Sequence, residues 1–172
     1  MANWIIDNSH SELKFKVKHL KITTVTGYFQ AFSGEVKAEG DDFSNASISI
    51  DIIANSLNTN SDQRDAHLKS GDFFDVEKHE KLTFVSSSYN AAEGKITGEF
   101  TIKDVTKTVT FDVEFEGIEN DPWGNTKAGF SISGKINRTD FGLVWNVGLE
   151  AGGLLVSEDV KIEAEIQLLK QA

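Results

Sequence analysis

Four histidines and abundant acidic residues could in principle form a metal site or a Ser-His-Asp set. The histidines are His10, His19, His67 and His79, and the chain has two arginines, Arg64 and Arg138. Histidine can transfer protons or bind a metal ion, and arginine can hold a phosphate or carboxylate through two parallel hydrogen bonds. The histidines lack metal-site spacing such as His-x-x-x-His, and neither Gly-x-Ser-x-Gly nor a phosphate-binding loop occurs. His10 is next to Ser11, but neighbours in sequence seldom reach productive geometry. The sequence therefore predicts a protein that is not an enzyme and has no metal or other cofactor.

The composition excludes further kinds of site and partner. The chain has no cysteine, so it has no disulfide, zinc thiolate site or catalytic thiol. The 17 basic and 27 acidic residues give a formal net charge of -10. Such a surface repels nucleic acid unless basic residues cluster, and they do not. No run approaches the ~20 apolar residues that span a bilayer. We expect no nucleic-acid partner and no integral membrane segment.

The N-terminus has no feature of a secretory signal. Met1 to Asp7 contain no basic region, no apolar run and no cleavage site. We expect a cytoplasmic location, or a periplasmic one if a leader was removed. No composition break, linker or repeat divides the chain, so we expect a single domain over residues 1–172.

Period-two alternation of apolar and polar residues is the dominant pattern. It is clearest in residues 11–19, 46–53, 108–116 and 160–168. Weaker strand patterns and turn-forming connectors fill much of the remaining chain: strands at 3–7, 27–39, 82–89, 95–103 and 127–137, and turns at 41–42, 90–94, 103–104 and 117–125. The pattern predicts about nine strands.

One segment, residues 61–70, does not alternate. It starts with an N-cap candidate, Asn60 or Ser61, carries acidic residues in its first turn and then meets a glycine. The segment is predicted to be a short helix. Arg64 and His67 are three residues apart and therefore share one side of it.

The amphipathic strands must hide their apolar faces, and the predicted helix is too short to cover them. A sandwich and a barrel both solve this, and the length of the strands favours a barrel. We therefore predict an all-β, antiparallel barrel of about eight strands with one short helix at about residues 61–70. Small residues on the predicted inner faces, Gly98, Gly134 and Ala164, either leave a cavity or serve the taper of the barrel. Both interpretations stay open.

Motifs in the right order along nearly the whole chain resemble those of the YceI-like family. The first consists of Asp7, His10, Ser11, Phe15, Val17, His19 and Leu20, followed by Gly27 and Phe29. The second consists of Arg64, Asp65, His67, Leu68, Ser70, Asp72, Phe73, Phe74 and Asp75, ahead of Phe84 and Ser86. The third consists of Gly98, Phe100, Thr101, Ile102, Thr106 and Lys107, then Gly129, Phe130, Asn137, Arg138, Asp140, Phe141 and Gly142. The sequence departs at Glu80, where a proline is expected, and at Asp104-Val105, where a glycine turn is usual.

The resemblance implies a lipocalin-like barrel around an elongated apolar pore that binds polyisoprenoids or related long-chain amphiphiles. The expected ligand is a long-chain isoprenoid or a similar lipid, such as an isoprenoid quinone or a polyprenyl phosphate, which the protein carries or stores as a monomer or homodimer. The alternative is a filled barrel that acts through its surface as a stress-related or inhibitory partner. The candidate ligand-binding residues are Phe15, Val17, His19, Phe29, Arg64, His67, Phe73, Phe74, Phe84, Phe100 and Phe111.

The polar candidates also have structural interpretations. His19 either binds a ligand head group or is satisfied by a backbone carbonyl or by Asp7. Arg64 either meets a diphosphate or quinone carbonyl or pairs with a nearby aspartate: Asp65, Asp72 or Asp75. His67 either lies at a pocket mouth or makes a capping or loop hydrogen bond.

Three further residues are interpreted mainly as structural. Arg138 is expected to form an ion pair with Asp140 that closes one end of the barrel. Phe73 and Phe74 are expected in an extended segment that points them to opposite sides. One of them then plugs the barrel while the other packs under the helix.

Overall fold

A computed structural model describes residues 1–149 and 155–172. In this part of the chain, eleven β-strands and one α-helix follow one another. Their bounds are β1 Ala2–Ile6, β2 Glu12–His19, β3 Thr23–Phe29, β4 Phe32–Glu39, β5 Ser44–Ile53, β6 Leu57–Asn58, α1 Asp62–Lys69, β7 Lys81–Asn90, β8 Lys95–Ile102, β9 Val105–Asn120, β10 Thr126–Asn137 and β11 Asp159–Lys170. Short 3-10 helices lie at Asn8–His10, Ala54–Ser56 and Arg138–Phe141.

Eight of these strands form a closed antiparallel ring. Around the ring they are β1, β4, β5, β7, β8, β9, β10 and β11, and β11 returns to β1. β1 closes the ring, because Trp4 lies opposite Val36 of β4 on one side and opposite Lys170 of β11 on the other. Every strand of the ring therefore has two hydrogen-bonded neighbours. The structure confirms the predicted antiparallel barrel of about eight strands.

The other three strands extend one end of the barrel. β2 pairs with β11 and β3, and β3 pairs with the short β6. The prediction of a single strand at 27–39 is wrong, because Gln30 and Ala31 interrupt it and separate β3 from β4. There the N–H of Gln30 donates to the carbonyl of Ser56, and the N–H of Ile53 donates to that of Ala31. The division of this strand and the short β6, which no sequence pattern indicated, account for the eleven strands found where about nine were expected.

β9 is longer than its sequence pattern suggested. Gly117 was expected to begin the turn, but it lies inside the strand, which continues to Asn120. Its φ of 111° is accessible to glycine, and it pairs with Gly129 beside a register shift. The glycine thus forms a bulge through which the strand continues.

Helix α1 confirms the predicted short helix, and its cap is Ser61. The Ser61 hydroxyl accepts a hydrogen bond from the backbone N–H of Arg64 at 3.3 Å. The helix is tied to the segment after β6 through Thr59, which is 3% exposed. The Asp65 carboxylate accepts hydrogen bonds from the Thr59 backbone N–H at 2.8 Å and from its hydroxyl at 2.6 Å. These bonds hold the helix against one end of the barrel.

Asp7 lies between β1 and β2 and connects this part of the chain to β10 and β11. Its carboxylate accepts hydrogen bonds from Ser9 at 2.8 Å and Lys127 at 3.0 Å, and it lies 2.9 Å from Nδ1 of His10. Burial raises the pKa of Asp7, but the hydrogen bonds from Ser9, Lys127 and His10 outweigh it and hold that pKa well below its usual range. The charged form of Asp7 therefore stabilises the folded state.

This arrangement predicts how stability depends on pH. We expect Asp7→Asn to lower the free energy of unfolding by about 2 kcal/mol at pH 7, because hydrogen bonds to a charged group are lost. The difference from the wild type should shrink as the pH falls below about 4, where the unfolded aspartate takes up a proton before the folded one does. Urea unfolding across this pH range measures both effects. Asp41→Asn, at an exposed turn residue, is the control. A constant difference at all pH values would contradict this role of Asp7.

Candidate ligand-binding site

The barrel encloses a cavity of about 670 Å³. Known ligand pockets measure about 300–1,000 Å³ and are mostly apolar. Inward-facing residues of the strands line it, and on β11 these are Val160, Ile162, Ala164, Ile166 and Leu168. All eleven sequence-predicted candidates also lie on its wall: Phe15, Val17, His19, Phe29, Arg64, His67, Phe73, Phe74, Phe84, Phe100 and Phe111. Ligand binding by these residues stays a prediction.

Glycines in the wall give aromatic rings room to lie against the sheet. A Cβ atom at Gly134 would lie 2.3 Å from Cδ1 of Phe111, and one at Gly98 would lie 2.7 Å from Cζ of Phe84. A Cβ atom at Gly27 would likewise lie 2.3 Å from Cζ of Phe15. The rings thus occupy the space that side chains would take at these positions. This resolves the interpretation of Gly98 and Gly134, because these glycines seat neighbouring rings in the wall while the cavity stays open.

One end of the barrel is closed by aromatic side chains. Because neighbouring strands are antiparallel, the turns at 40–43, 91–94 and 121–125 meet at this end. Phe43 is 2% exposed, and its ring centroid lies 5.0 Å from that of Phe130 and 5.1 Å from that of Trp4. These contacts place an aromatic floor beneath the cavity.

The opposite end carries α1 and the described residues between β10 and β11, and here polar groups reach the cavity. Four residues form what we call the mouth cluster: His67, Phe73, Trp145 and Arg138. The ring centroid of His67 lies 4.7 Å from Trp145 and 5.1 Å from Phe73. Cζ of Arg138 lies 5.9 Å from the Phe73 centroid. Since the His67 side chain is 40% exposed and lines the cavity, the cavity reaches solvent at this cluster.

Phe73 and Phe74 do not point to opposite sides as expected. They lie in a turn after α1, and both line the cavity. Phe73 joins the mouth cluster, whereas Phe74 packs edge-on against Phe29 at 5.7 Å. The extended conformation that the expectation required is replaced by hydrogen bonds that fold the chain back, including one from the N–H of Phe74 to the carbonyl of Leu68.

Arg64 has a structural contact, but its partner is not an aspartate. Its Nε donates to the Thr59 hydroxyl at 2.8 Å and its Nη2 to the Thr59 carbonyl at 2.5 Å. The expected pairing with Asp65, Asp72 or Asp75 is wrong, because the Asp65 carboxylate already binds Thr59 and no ion pair of Arg64 occurs among the described residues. Arg64 is exposed and lines the cavity, so it stands at the mouth.

Arg138 does not form the expected ion pair with Asp140. It is 3% exposed, and its guanidinium donates to four backbone carbonyls: those of Ser157, Leu143, Trp145 and Val156. Burial lowers the pKa of Arg138, and the charge of Glu158 opposes this effect. The group still remains protonated, as arginines in proteins do. Arg138 thus holds the segment after β10 in place and leaves a positive charge beside the cavity.

His19 and His67 lie at the same end. His19 lines the cavity, and the alternative that Asp7 satisfies it is wrong, because that carboxylate binds Ser9, His10 and Lys127. Nε2 of His67 lies 2.9 Å from Oδ2 of Asp72, which fits the loop bond considered for it.

One cluster of polar residues away from the cavity has the residue types of a catalytic triad. Asp7, Ser9 and His10 lie together, but the carboxylate and the hydroxyl approach the same ring nitrogen, Nδ1. A catalytic triad uses both imidazole nitrogens, one for each partner. Within residues 1–149 and 155–172, no three acidic, histidine or cysteine side chains are grouped to hold a metal ion. Among the described helices, none has the length and apolar character to cross a membrane.

Sequence reasoning missed the part of the wall that follows β10. Leu143, Trp145, Leu155 and Val156 line the cavity although they show no strand periodicity. The signal that pointed to this segment was Arg138, one of two arginines. Its four carbonyl partners, however, depend on the folded path of the segment.

The sequence and the fold both have relatives among known proteins. The YceI-like domain, as a family profile, matches residues 4–168. A UPF0312 protein of Staphylococcus aureus is 42% identical over 168 residues, 97% of each chain. The crystal structure of the Campylobacter jejuni YceI protein matches 90% of each chain with a TM-score of 0.75 and 31% identity. A polyisoprenoid-binding domain from Saccharophagus degradans matches 96% of this chain and 97% of its own with a TM-score of 0.73, but at 16% identity it shows the fold alone.

The seating of Phe111 on Gly134 is testable. A methyl group at residue 134 would collide with the ring, so Gly134→Ala should push Phe111 into the cavity. We expect the free energy of unfolding to fall by about 1–3 kcal/mol, as for other overpacked cores. Urea unfolding measures this loss. Gly71→Ala is the control, because no atom lies within 4 Å of a Cβ built there. Equal stability of the two variants would show that the ring does not need this glycine.

Proposed function

Because the chain belongs to the family of YceI-like domain proteins, we propose that it binds a long-chain isoprenoid or a related amphiphilic lipid inside the barrel. The observation that carries this proposal is the apolar cavity of about 670 Å³ with polar groups at one end. The Saccharophagus degradans domain of the same fold is described as polyisoprenoid-binding, which supports it. A tail in the cavity and a head at the mouth cluster suit a molecule of this kind.

The size of the cavity sets the length of tail that fits. At about 30 Å³ per heavy atom, the share of a water molecule in the liquid, the cavity holds roughly 20 carbon atoms, or about four isoprene units. Burial contributes up to about 0.8 kcal/mol per CH₂ group, and non-covalent affinity saturates near about 18–21 kcal/mol. Length should therefore be selected sterically, with the floor at Phe43 as the stop.

The open interior counts against the alternative of a filled barrel that acts only through its surface. That alternative requires side chains to fill the lumen, whereas here three phenylalanine rings are seated over glycines in its wall. Binding without catalysis also fits a wall of mostly apolar side chains. We infer that the protein carries or stores its ligand.

Organic extraction of freshly purified protein, followed by mass spectrometry, tests the proposal directly. We expect an isoprenoid or another long-chain lipid at near-equimolar yield. Lipid-free protein should also take up added prenyl alcohols. Repeated absence of lipid together with no uptake would overturn the proposal.

A series of prenyl alcohols of increasing length tests the steric limit. Affinity should rise with each isoprene unit and stop rising at about the length that fills the cavity, because further units find no wall to bury them. Ala164→Phe fills part of the lumen from β11 and should move this limit to a shorter tail. Ser133→Phe, on the exposed outer face of β10, is the matched control. Calorimetry measures the affinities, and a limit unchanged by Ala164→Phe would contradict tail binding along this wall.

A further inference from the structure

The large apolar side chains that the fold leaves exposed are concentrated at the mouth end. Eleven are exposed among the described residues, and seven of them are scattered: one at the N-terminus, one on each of five strands and one on the turn between β9 and β10. The other four lie in two short segments beside the opening, and we call them the rim patch: Leu20, Ile22, Val144 and Val147. Single exposed apolar residues are ordinary, whereas a group of them marks an interaction surface.

Backbone hydrogen bonds join the two segments of the rim patch. The N–H of Leu20, in the turn between β2 and β3, donates to the carbonyl of Leu155 at 2.9 Å. The N–H of Leu155 donates in turn to the carbonyl of Val147, also at 2.9 Å. Leu155 lines the cavity, and so do His19 and Trp145 beside the two segments. The rim patch therefore borders the opening of the cavity.

The side chains of the rim patch are not needed to build the core. Leu143 and Trp145 line the cavity, but Val144 between them does not and is 65% exposed. Ile22 at the end of the β2–β3 turn is 77% exposed. Neither Val144 nor Ile22 packs against the hydrophobic core. Folding of the barrel therefore does not account for apolar residues at these positions.

The turn between β2 and β3 has a conformation that its residues adopt reluctantly. The N–H of Ile22 donates to the carbonyl of His19 at 3.2 Å, and the two residues between them, Leu20 and Lys21, have φ angles of 54° and 62°. Two consecutive residues with positive φ are typical of a type I′ hairpin turn, which favours Asn-Gly. A bulky residue such as leucine is rare in this conformation. Backbone strain of this kind is concentrated at functional sites.

The same hairpin is positively charged although the protein is acidic. Residues 13–34 contain four lysines and no acidic residue, in a chain with a formal net charge of -10. Lys18 and Lys21 lie beside the rim patch, both are exposed, and neither forms an ion pair within residues 1–149 and 155–172. Glu158, in the segment paired with this turn, acts on the charge of Arg138. Lysines next to exposed apolar side chains suit the surface of an anionic membrane.

We propose that the rim patch docks this protein on an anionic lipid membrane, with the β2–β3 turn inserted among the head groups and the mouth of the barrel facing the bilayer. This rests on the proposed function, since a cavity that holds a membrane lipid has to reach the bilayer from which the lipid comes. The tail then passes from the bilayer into the lumen without crossing water. The remaining surface is acidic and is repelled by anionic head groups, which favours approach by this end.

Flotation of the purified protein with lipid vesicles tests the proposal. We expect the protein to float with vesicles of phosphatidylcholine and phosphatidylglycerol in equal parts. On vesicles of phosphatidylcholine alone, binding should be weaker by about tenfold or more, because each lysine near an anionic surface contributes a factor of roughly five. Added salt should weaken binding to the anionic vesicles, since it screens exposed charges.

Variants show whether the rim patch is the surface that binds. Ile22→Ser should lower binding to the anionic vesicles about tenfold, because it removes an apolar side chain that the membrane would bury. Trp123→Ser removes a larger exposed side chain from the opposite end of the barrel and is the matched control. Lys21→Gln should lower binding about fivefold. Its control is Lys37→Gln, at an exposed position on β4. Circular dichroism and urea unfolding establish that all four variants are folded.

The outcomes separate this inference from the proposed function. Absence of flotation with the anionic vesicles overturns the docking surface, and so does an equal loss of binding in Ile22→Ser and Trp123→Ser. If the protein takes up prenyl alcohols from solution but does not float, the docking surface is overturned while the proposed function stands. If it floats through the rim patch but takes up no lipid, the proposed function is overturned while the docking surface stands.

Discussion

The closure of the hydrogen-bonded ring is the constraint on which the rest of this structure depends. β1 bridges β4 and β11, so eight strands fix the circumference before any side chain is placed. A barrel of about this size has an interior that side chains can just fill or that can hold one small ligand. Here the interior stays open, because bulky rings lie against glycines of neighbouring strands. Phe15, Phe84 and Phe111 use the space of missing side chains and lie along the sheet.

The two ends of the barrel follow different rules. The floor is aromatic, and Phe43 adopts a φ of 58° there, an uncommon conformation for a bulky residue, while its ring is almost fully buried. The mouth depends on backbone carbonyls instead. The guanidinium of Arg138 donates to four backbone carbonyls of residues between β10 and β11, and the negative charge of Glu158 also acts on it. The same contacts that hold the mouth in shape therefore determine its electrostatics.

Much of the fold could be predicted from the sequence because it depends on local periodicity. Alternation alone placed the inward residues of β11, and the Ser61 cap with its acidic first turn predicted α1. What failed depends on contacts between distant residues. The bulge at Gly117 reflects its pairing with Gly129 across two strands, and the break at Gln30 reflects a bond to Ser56.

The site shows the same division. The apolar residues that the strands contribute to it followed from strand parity together with the family resemblance. The partners of its polar residues did not, because sequence reasoning matched arginines with nearby acids. Arg64 instead binds Thr59, and Arg138 binds backbone carbonyls. The positions of these oxygen atoms depend on the path of segments that have no regular secondary structure. Trp145 was missed for a related reason, since it lies in a segment without periodicity and reaches the cavity through this path.

The positions of the three tryptophans give the molecule internal optical reporters. Trp145 lies at the mouth against His67, Trp4 is buried against Phe43 at the floor, and Trp123 is 83% exposed on the turn between β9 and β10. Indole emission shifts with the polarity around the ring, so the three rings sample three distinct surroundings. Variants that retain one tryptophan at a time would follow events at the opening, at the base and in solvent separately, without an attached dye.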